Sequence, residues 1–227
     1  MTNADLEAWK KVTATSRRIE TRNRTAMLTA GAFAILVQLV FVFARPPGEV
    51  SLSLLAPSVL WITFALAGLV VLNRAFLLER EQAAIEGILL APVSRMALFW
   101  GKWLANAVLV VAVLTLAFPL WLLFFNVAPS TSLLGVYGLA VLAALGFTGA
   151  GTLFAAMTAR TRYAELLLPV LLLPFLIPPI FAGASGSIRL LQERPFDEVA
   201  GWLRILVMYD VAFLATASLL FPFVVDE

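Results

Sequence analysis

Long apolar runs separated by short charged connections organise this chain. A helix that crosses hydrocarbon needs roughly 20 mostly apolar residues. Six runs reach about that length: Thr25 to Ala44, Leu54 to Asn73, Met96 to Phe125, Leu133 to Met157, Ala164 to Gly183 and Trp202 to Val225. None alternates apolar and polar residues as a half-buried strand does. In lipid the backbone must satisfy its own hydrogen bonds, which leaves helices or closed barrels. The pattern predicts an all-α, polytopic membrane protein with six transmembrane helices.

The polar positions divide the chain further. Before the first run, Leu6, Trp9, Val12 and Ile19 recur at near-helical spacing among Lys and Arg residues. This predicts an amphipathic interfacial segment over 1–24, with Trp9 at the headgroups. A solvated tail that only carries orienting charge is the alternative. Glu20 and Arg24 form an i,i+4 pair in the favourable order. No small-residue cleavage signature follows the first run, so it reads as a retained helix. The domain organisation is then the 1–24 segment followed by a six-helix transmembrane domain over 25–227.

Between the second and third runs lies "EREQAAIEGILLAPVSR", residues 79–95. Leu78, Ile85, Ile88 and Leu89 fall on one helical face, while Glu79, Gln82 and Glu86 fall largely on the other. Pro92 ends that helix, because the residue before proline avoids the α region. Ser94 is placed to cap the next helix by accepting from a free backbone N–H. The pattern predicts a short amphipathic helix joined stiffly to the third span. It serves either as a loop resting on headgroups or as the docking helix of a soluble partner. For the second role the residues that would make contact are Glu79, Glu81, Glu86, Gly87, Pro92 and Arg95.

Lys and Arg placement sets topology. Lys10, Lys11, Arg17, Arg18, Arg22, Arg24, Arg74, Arg80, Arg95, Lys102, Arg160 and Arg162 fall on one side, against Arg45, Arg189, Arg194 and Arg204 on the other. The richer side is expected to be cytoplasmic, with both termini there. The connection "SIRLLQERPFDEVAGWL", residues 187–203, is then expected to be a short amphipathic segment on the opposite surface.

Composition agrees and narrows the chemistry. The chain is 62% hydrophobic and 13% charged, outside the ordinary globular mixture. Cys and His are both absent, which removes disulfides, thiolate metal sites and imidazole ligands or bases. No G-x-x-x-x-G-K-[ST] sequence occurs; Gly101-Lys102 is followed by Trp103. The chain is therefore not expected to be an enzyme, and any ATP chemistry belongs to another subunit.

Within the spans, Pro169, Pro174, Pro178 and Pro179 each remove a backbone donor, so the fifth span is expected to be kinked or broken. It is a hinge or a static kink. Glu165 and Asp210 are intramembrane acids, which are costly and face protein or water. Glu165 can reach Arg160 or Arg162. Arg204 is too far from Asp210 for an i,i+4 pair, so Asp210 is expected to find a partner on another helix. Asn106 and Gln38 read as structural hydrogen-bonding groups. Gly146 and Ala150, beside Gly149 and Gly151, form a small-residue patch that permits close helix approach, expected within the subunit.

Taken in order, these stretches resemble a known family. "EREQAAIEGILLAPVSRMALFWGKWLAN" is similar to the coupling-helix region of permeases of second-type ABC exporters. "SRRIETRNR", "LLAPSVLWITFALAGLVVLNR", "GTLFAAMTARTR", "ELLLPVLLLPFLIPP" and "YDVAFL" resemble, in order, successive segments of the heme exporter protein B (CcmB) family, the permease of cytochrome c maturation. The resemblance implies a membrane subunit paired as two copies with two cytoplasmic ATPases (protein A). It further implies a heme-handling membrane protein C, a small single-span protein D and the periplasmic heme chaperone, protein E. ATP would be bound by the ATPase and heme handled by partner subunits, with no cofactor on this chain. Met27, Met157, Met208, Tyr137, Tyr163 and Tyr209 are of ligating type, but read as packing and interfacial residues. A related permease for a lipid-linked or drug-like substrate, or a non-transporting scaffold, are the rival readings. A secondary transporter fits less well, with few midplane charges and no clear repeat.

Overall fold

A computed structural model describes residues 25–44, 51–80, 95–158, 161 and 164–226. Six helices are long and apolar enough to cross a membrane, and the described residues contain no strand. They are α1 (Thr25–Ala44), α2 (Leu52–Arg80), α3 (Arg95–Phe124), α4 (Ser132–Thr158), α5 (Ala164–Leu191) and α6 (Phe196–Asp226). The proposed segment 1–24 lies outside the described residues.

α4 is the hub. It packs against α2, α3, α5 and α6, while α5 also meets α2 and α6. Its sequence explains this role. Gly146 is overlain by Tyr209 and Asp210 of α6, Gly149 by Leu214 of α6, and Gly151 by Leu72 of α2. In lipid the helices gain little from hydrophobic burial against one another, so close van der Waals approach at small residues holds them. The small-residue patch thus packs within the subunit. α1 joins through Ala30 and Ala34, one turn apart and fully buried.

A second close approach sets α2 on α5. The Trp61 ring fills the space over Gly183, and its indole N–H donates to Ser187 Oγ at 3.0 Å. Gly183 and Ser187 are one turn apart, so a single indole spans both. Trp121 Nε1 similarly donates to the Ala56 carbonyl at 2.8 Å and ties α3 to the start of α2.

The helices outrun several of the apolar runs. α2 continues past Asn73 to Arg80, so Leu78 and Glu79 belong to its last turns; residues 81–94 lie outside the described residues. The segment expected as a separate amphipathic piece over 187–203 is instead the end of α5, a tight reversal and the start of α6. Glu193 adopts a left-handed conformation (φ 53°), Glu193 N–H donates to Leu190 O, and Arg194 N–H to Arg189 O. That pairing closes a helix C-terminus by a Schellman motif. Asp197 and Glu198 then favour the start of α6 by facing its positive dipole end. Hydropathy marks where lipid begins, not where a helix ends, and so it placed both boundaries too early or too late. Asn126 (φ 50°) closes α3 the same way, with Val127 N–H donating to Leu122 O.

α5 is not broken. Its four prolines sit inside one helix of 28 residues. Each proline costs one hydrogen bond, and lipid leaves the neighbouring turns no alternative to helix.

Candidate functional site: the seam of α4, α5 and α6

The seam begins with two consecutive residues of α6. Both cover Gly146 of α4, but side chains of neighbouring helical residues diverge by about 100°, so the Tyr209 hydroxyl reaches on to α5 while the Asp210 carboxylate stays on α4. The Tyr209 hydroxyl donates to the Phe175 carbonyl of α5 at 2.8 Å. Phe175 lies four residues before Pro179, whose nitrogen has no hydrogen, so this carbonyl lacks its helical donor. The ring of Tyr209 stacks on Phe213 at 4.5 Å, Phe213 meets Phe175 at 5.3 Å, and Phe175 meets Phe154 of α4 at 4.7 Å. An aromatic cluster therefore surrounds the proline-freed carbonyl.

Asp210 turns to α4 and lies against Gly146, where a β-carbon would overlap its carboxylate. It is 6% exposed, and neither carboxylate oxygen has a hydrogen-bond partner among the described residues. No side chain among the described residues pairs with it; its contact across the seam is with the backbone of Gly146 on α4, which carries no side chain to donate.

On the α3 side of the hub, Asn106 Nδ2 donates to Thr152 Oγ1 at 3.1 Å, and Thr152 donates in turn to Thr148 O at 2.7 Å. Trp103 Nε1 donates to Leu145 O at 2.9 Å. Gln38 Nε2 donates to Ala117 O at 3.3 Å, joining α1 to α3. These bonds fix helix positions. No group of three or more metal-ligating Asp or Glu side chains occurs among the described residues.

The other residues singled out in the sequence fall as follows. Glu79 lies in the last turn of α2 and Arg95 is the first residue of α3, half-buried. Glu81, Glu86, Gly87 and Pro92 lie outside the described residues. Glu165 lies in the first turn of α5, but its side chain, and the Arg160 and Arg162 expected to pair with it, lie outside the description. Pro174 and Pro178 are exposed, Pro179 is buried and Pro169 half-buried. Met208 and Met157 face outward, at 72% and 50% exposure, and Tyr137 shares a 2.7 Å hydrogen bond with Thr115. At the end of the bundle opposite the C-terminus, a cavity of about 460 Å³ opens between Ser53, Asn126, Ser130 and Gln192. Three connections far apart in sequence build it, which no local pattern signals.

Comparison with known proteins decides the family. The CcmB protein family profile matches residues 8–226. The chain belongs to the CcmB family. Among its CcmB relatives, heme exporter protein B of Rhodobacter capsulatus is 33% identical over 180 residues, covering 74% of this chain and 78% of that protein. The protein of that name from Pseudomonas aeruginosa is 31% identical over 175 residues, covering 75% and 76% respectively. That from Paracoccus denitrificans is 29% identical over 179 residues, covering 76% and 78%. The CcmB match spans all six helices, so the α4–α5–α6 seam lies within the family's common region.

Proposed function

We propose that this chain is the transmembrane permease subunit of an ABC complex that serves heme delivery during cytochrome c maturation. The observation that carries the reading is the CcmB match over residues 8–226, with relatives named heme exporter protein B. The protein sits in the bacterial inner membrane with both termini cytoplasmic, as the Lys and Arg distribution favours. ATP is hydrolysed by a separate cytoplasmic subunit, because this sequence has no phosphate-binding loop of its own. That subunit docks on the connection from Glu79 to Arg95. Its stroke is carried into the bundle by α2 and α3, which run into this connection from either side.

Heme is cargo here and is held by partner subunits. The chain has neither His nor Cys, and Tyr209, a residue of ligating type, commits its hydroxyl to Phe175. The test is purification from native membranes, scored for an accompanying ATPase and heme protein, beside restoration of c-type cytochromes in a strain lacking this gene. Both are expected. Purification with an ATPase but without heme protein, and no restoration of cytochromes, would move the reading to a permease for another substrate.

A further inference from the structure

Among the described residues, Asp210 is the only acid away from a helix end. Its helix packs against α3, α4 and α5. α4 contains no Asp, Glu, Lys or Arg, and its one titratable side chain, Tyr137, lies nine residues before Gly146 and is bonded to Thr115. The charged residues of α5 stand at its ends, Glu165 in the first turn and Arg189 in the last. Arg189 is engaged by Ser185 O, Glu198 and the Trp202 ring. On α3 the cations are Arg95 and Lys102, and neither makes a hydrogen bond to the Asp210 carboxylate. On α6 itself Arg204 is exposed and six positions away, and the Tyr209 hydroxyl is taken by Phe175 O.

An ionised carboxylate only accepts hydrogen bonds, so it needs donors. The wall facing Asp210 has few to give. Gly146 has no side chain, and mid-helix N–H groups already serve the carbonyls four residues before them. Thr148 and Trp103, the nearby donors, are both spent on the Leu145 carbonyl. A protonated carboxyl has the opposite need, one acceptor for its own O–H, and each helical carbonyl keeps a second lone pair. The site therefore fits the neutral acid and disfavours the charged one. We infer that Asp210 is a proton-binding site that controls the α4–α6 seam. Its neutral form seats on Gly146, and its ionised form favours an arrangement in which α6 stands off from α4 and water reaches the carboxylate. Tyr209 covers the same glycine, and Leu214 covers Gly149 one turn further on. The contacts of α6 with α4, and through Tyr209 with α5, thus respond to one proton.

Infrared difference spectra of the full chain in lipid nanodiscs, unaltered protein minus Asp210→Asn, read the proton directly. At about pH 6, where an ordinary aspartate is ionised, a neutral-carboxyl stretch belonging to Asp210 is expected. The seam is read separately. The chain contains no cysteine, so nitroxides at Met157→Cys on α4 and Leu220→Cys on α6, both exposed positions, report the distance between the two helices without background. As pH rises, a second, longer distance is expected to appear. Its ratio to the first should grow by up to tenfold per pH unit, the limit for one proton. With Asp210→Asn only the shorter distance is expected at every pH. Absence of the carboxyl stretch at about pH 6 would overturn the inference in favour of an ionised carboxylate paired by a group outside this chain. A distance that ignores pH in the otherwise unaltered protein, or that shifts equally with pH in Asp210→Asn, would overturn proton control of the seam.

Discussion

The Tyr209 hydroxyl and the Phe175 carbonyl, 2.8 Å apart, join α6 to α5 at a carbonyl that Pro179 has freed. A defect created by Pro179 in one helix is thereby answered by a phenol in the next, 34 residues away. Neither residue is polar enough by itself to mark a membrane site. Together they make the α5–α6 contact directional, where apolar packing alone would allow sliding.

Tyr209→Phe keeps the ring and its stacking on Phe213 but removes the donor. Interhelical hydrogen bonds in membranes are worth roughly 0.5–1.5 kcal/mol, and the substitution is expected to destabilise the subunit by about that amount. Tyr209→Ala should cost more, since it also empties the aromatic cluster. Unfolding of the purified protein in detergent or bicelles measures both. Equal stability of Tyr209→Phe and the unaltered protein would show that the Phe175 carbonyl has a second donor.

Much of this fold was legible in the sequence, and particular residues show where legibility ended. Six runs of spanning length gave six helices, because lipid punishes any other backbone. The reversal at Gln192–Pro195 was hidden because Arg189, Glu193, Arg194, Asp197 and Glu198 look like a connector, while the cap that folds them back rests on a left-handed Glu193 where glycine is usual. The seam was half visible. Counting four back from Pro179 finds Phe175, but nothing local says that Tyr209 arrives there. The same holds for Trp61 over Gly183: the glycine is plain in the sequence and the indole that needs it is not.

Gly183 gives the sharpest steric prediction. A β-carbon there would overlap the six-membered ring of Trp61, which is 1% exposed and held by Ser187. Gly183→Ala is expected to destabilise by about 1–3 kcal/mol, as overpacking does. Gly201→Ala, where a β-carbon would meet nothing within 4 Å, is the control. It is expected to be neutral or to stabilise by up to about 1 kcal/mol through helix propensity. Melting temperatures of the two proteins, measured together, should move in opposite directions or differ by several degrees.

Asp210 predicts a gain. An acid buried against Gly146 with no side-chain donor among the described residues is a cost to the fold, whatever its service. Asp210→Asn conserves shape and removes the acid, and is expected to raise stability by about 1 kcal/mol. Asp210→Leu should fail to gain as much, because two methyl groups on a tetrahedral carbon are bulkier than the flat amide in the tight space over Gly146. A fall in stability on Asp210→Asn would reveal a cationic or donating partner for the carboxylate in the assembled membrane protein. Scoring cytochrome assembly in the same strain then separates packing from service. A more stable protein with lost assembly assigns the acid a role in the working cycle.

The connection between α2 and α3 predicts a loss of a different kind. Glu79 in the last turn of α2, with Glu81 and Glu86 after it in sequence, concentrates negative charge where that helix ends. An ATPase docking there would meet them with basic or donor groups, and charge reversal turns attraction into like-charge repulsion. Glu86→Lys is expected to lower recovery of the ATPase with the purified subunit at least tenfold, a change of about 1.4 kcal/mol. The spans should be untouched, because Glu86 lies in sequence between α2 and α3 and in neither helix, so the melting temperature is expected to stay within the range of ordinary surface substitutions. Arg194→Glu, in the reversal at the opposite end, should leave ATPase recovery unchanged. Raising salt should weaken the contact of the unaltered protein, as expected for exposed charge pairs within a Debye length. Unchanged recovery with Glu86→Lys would move the docking site away from this connection and leave its charge the simpler duty of keeping the segment out of the membrane.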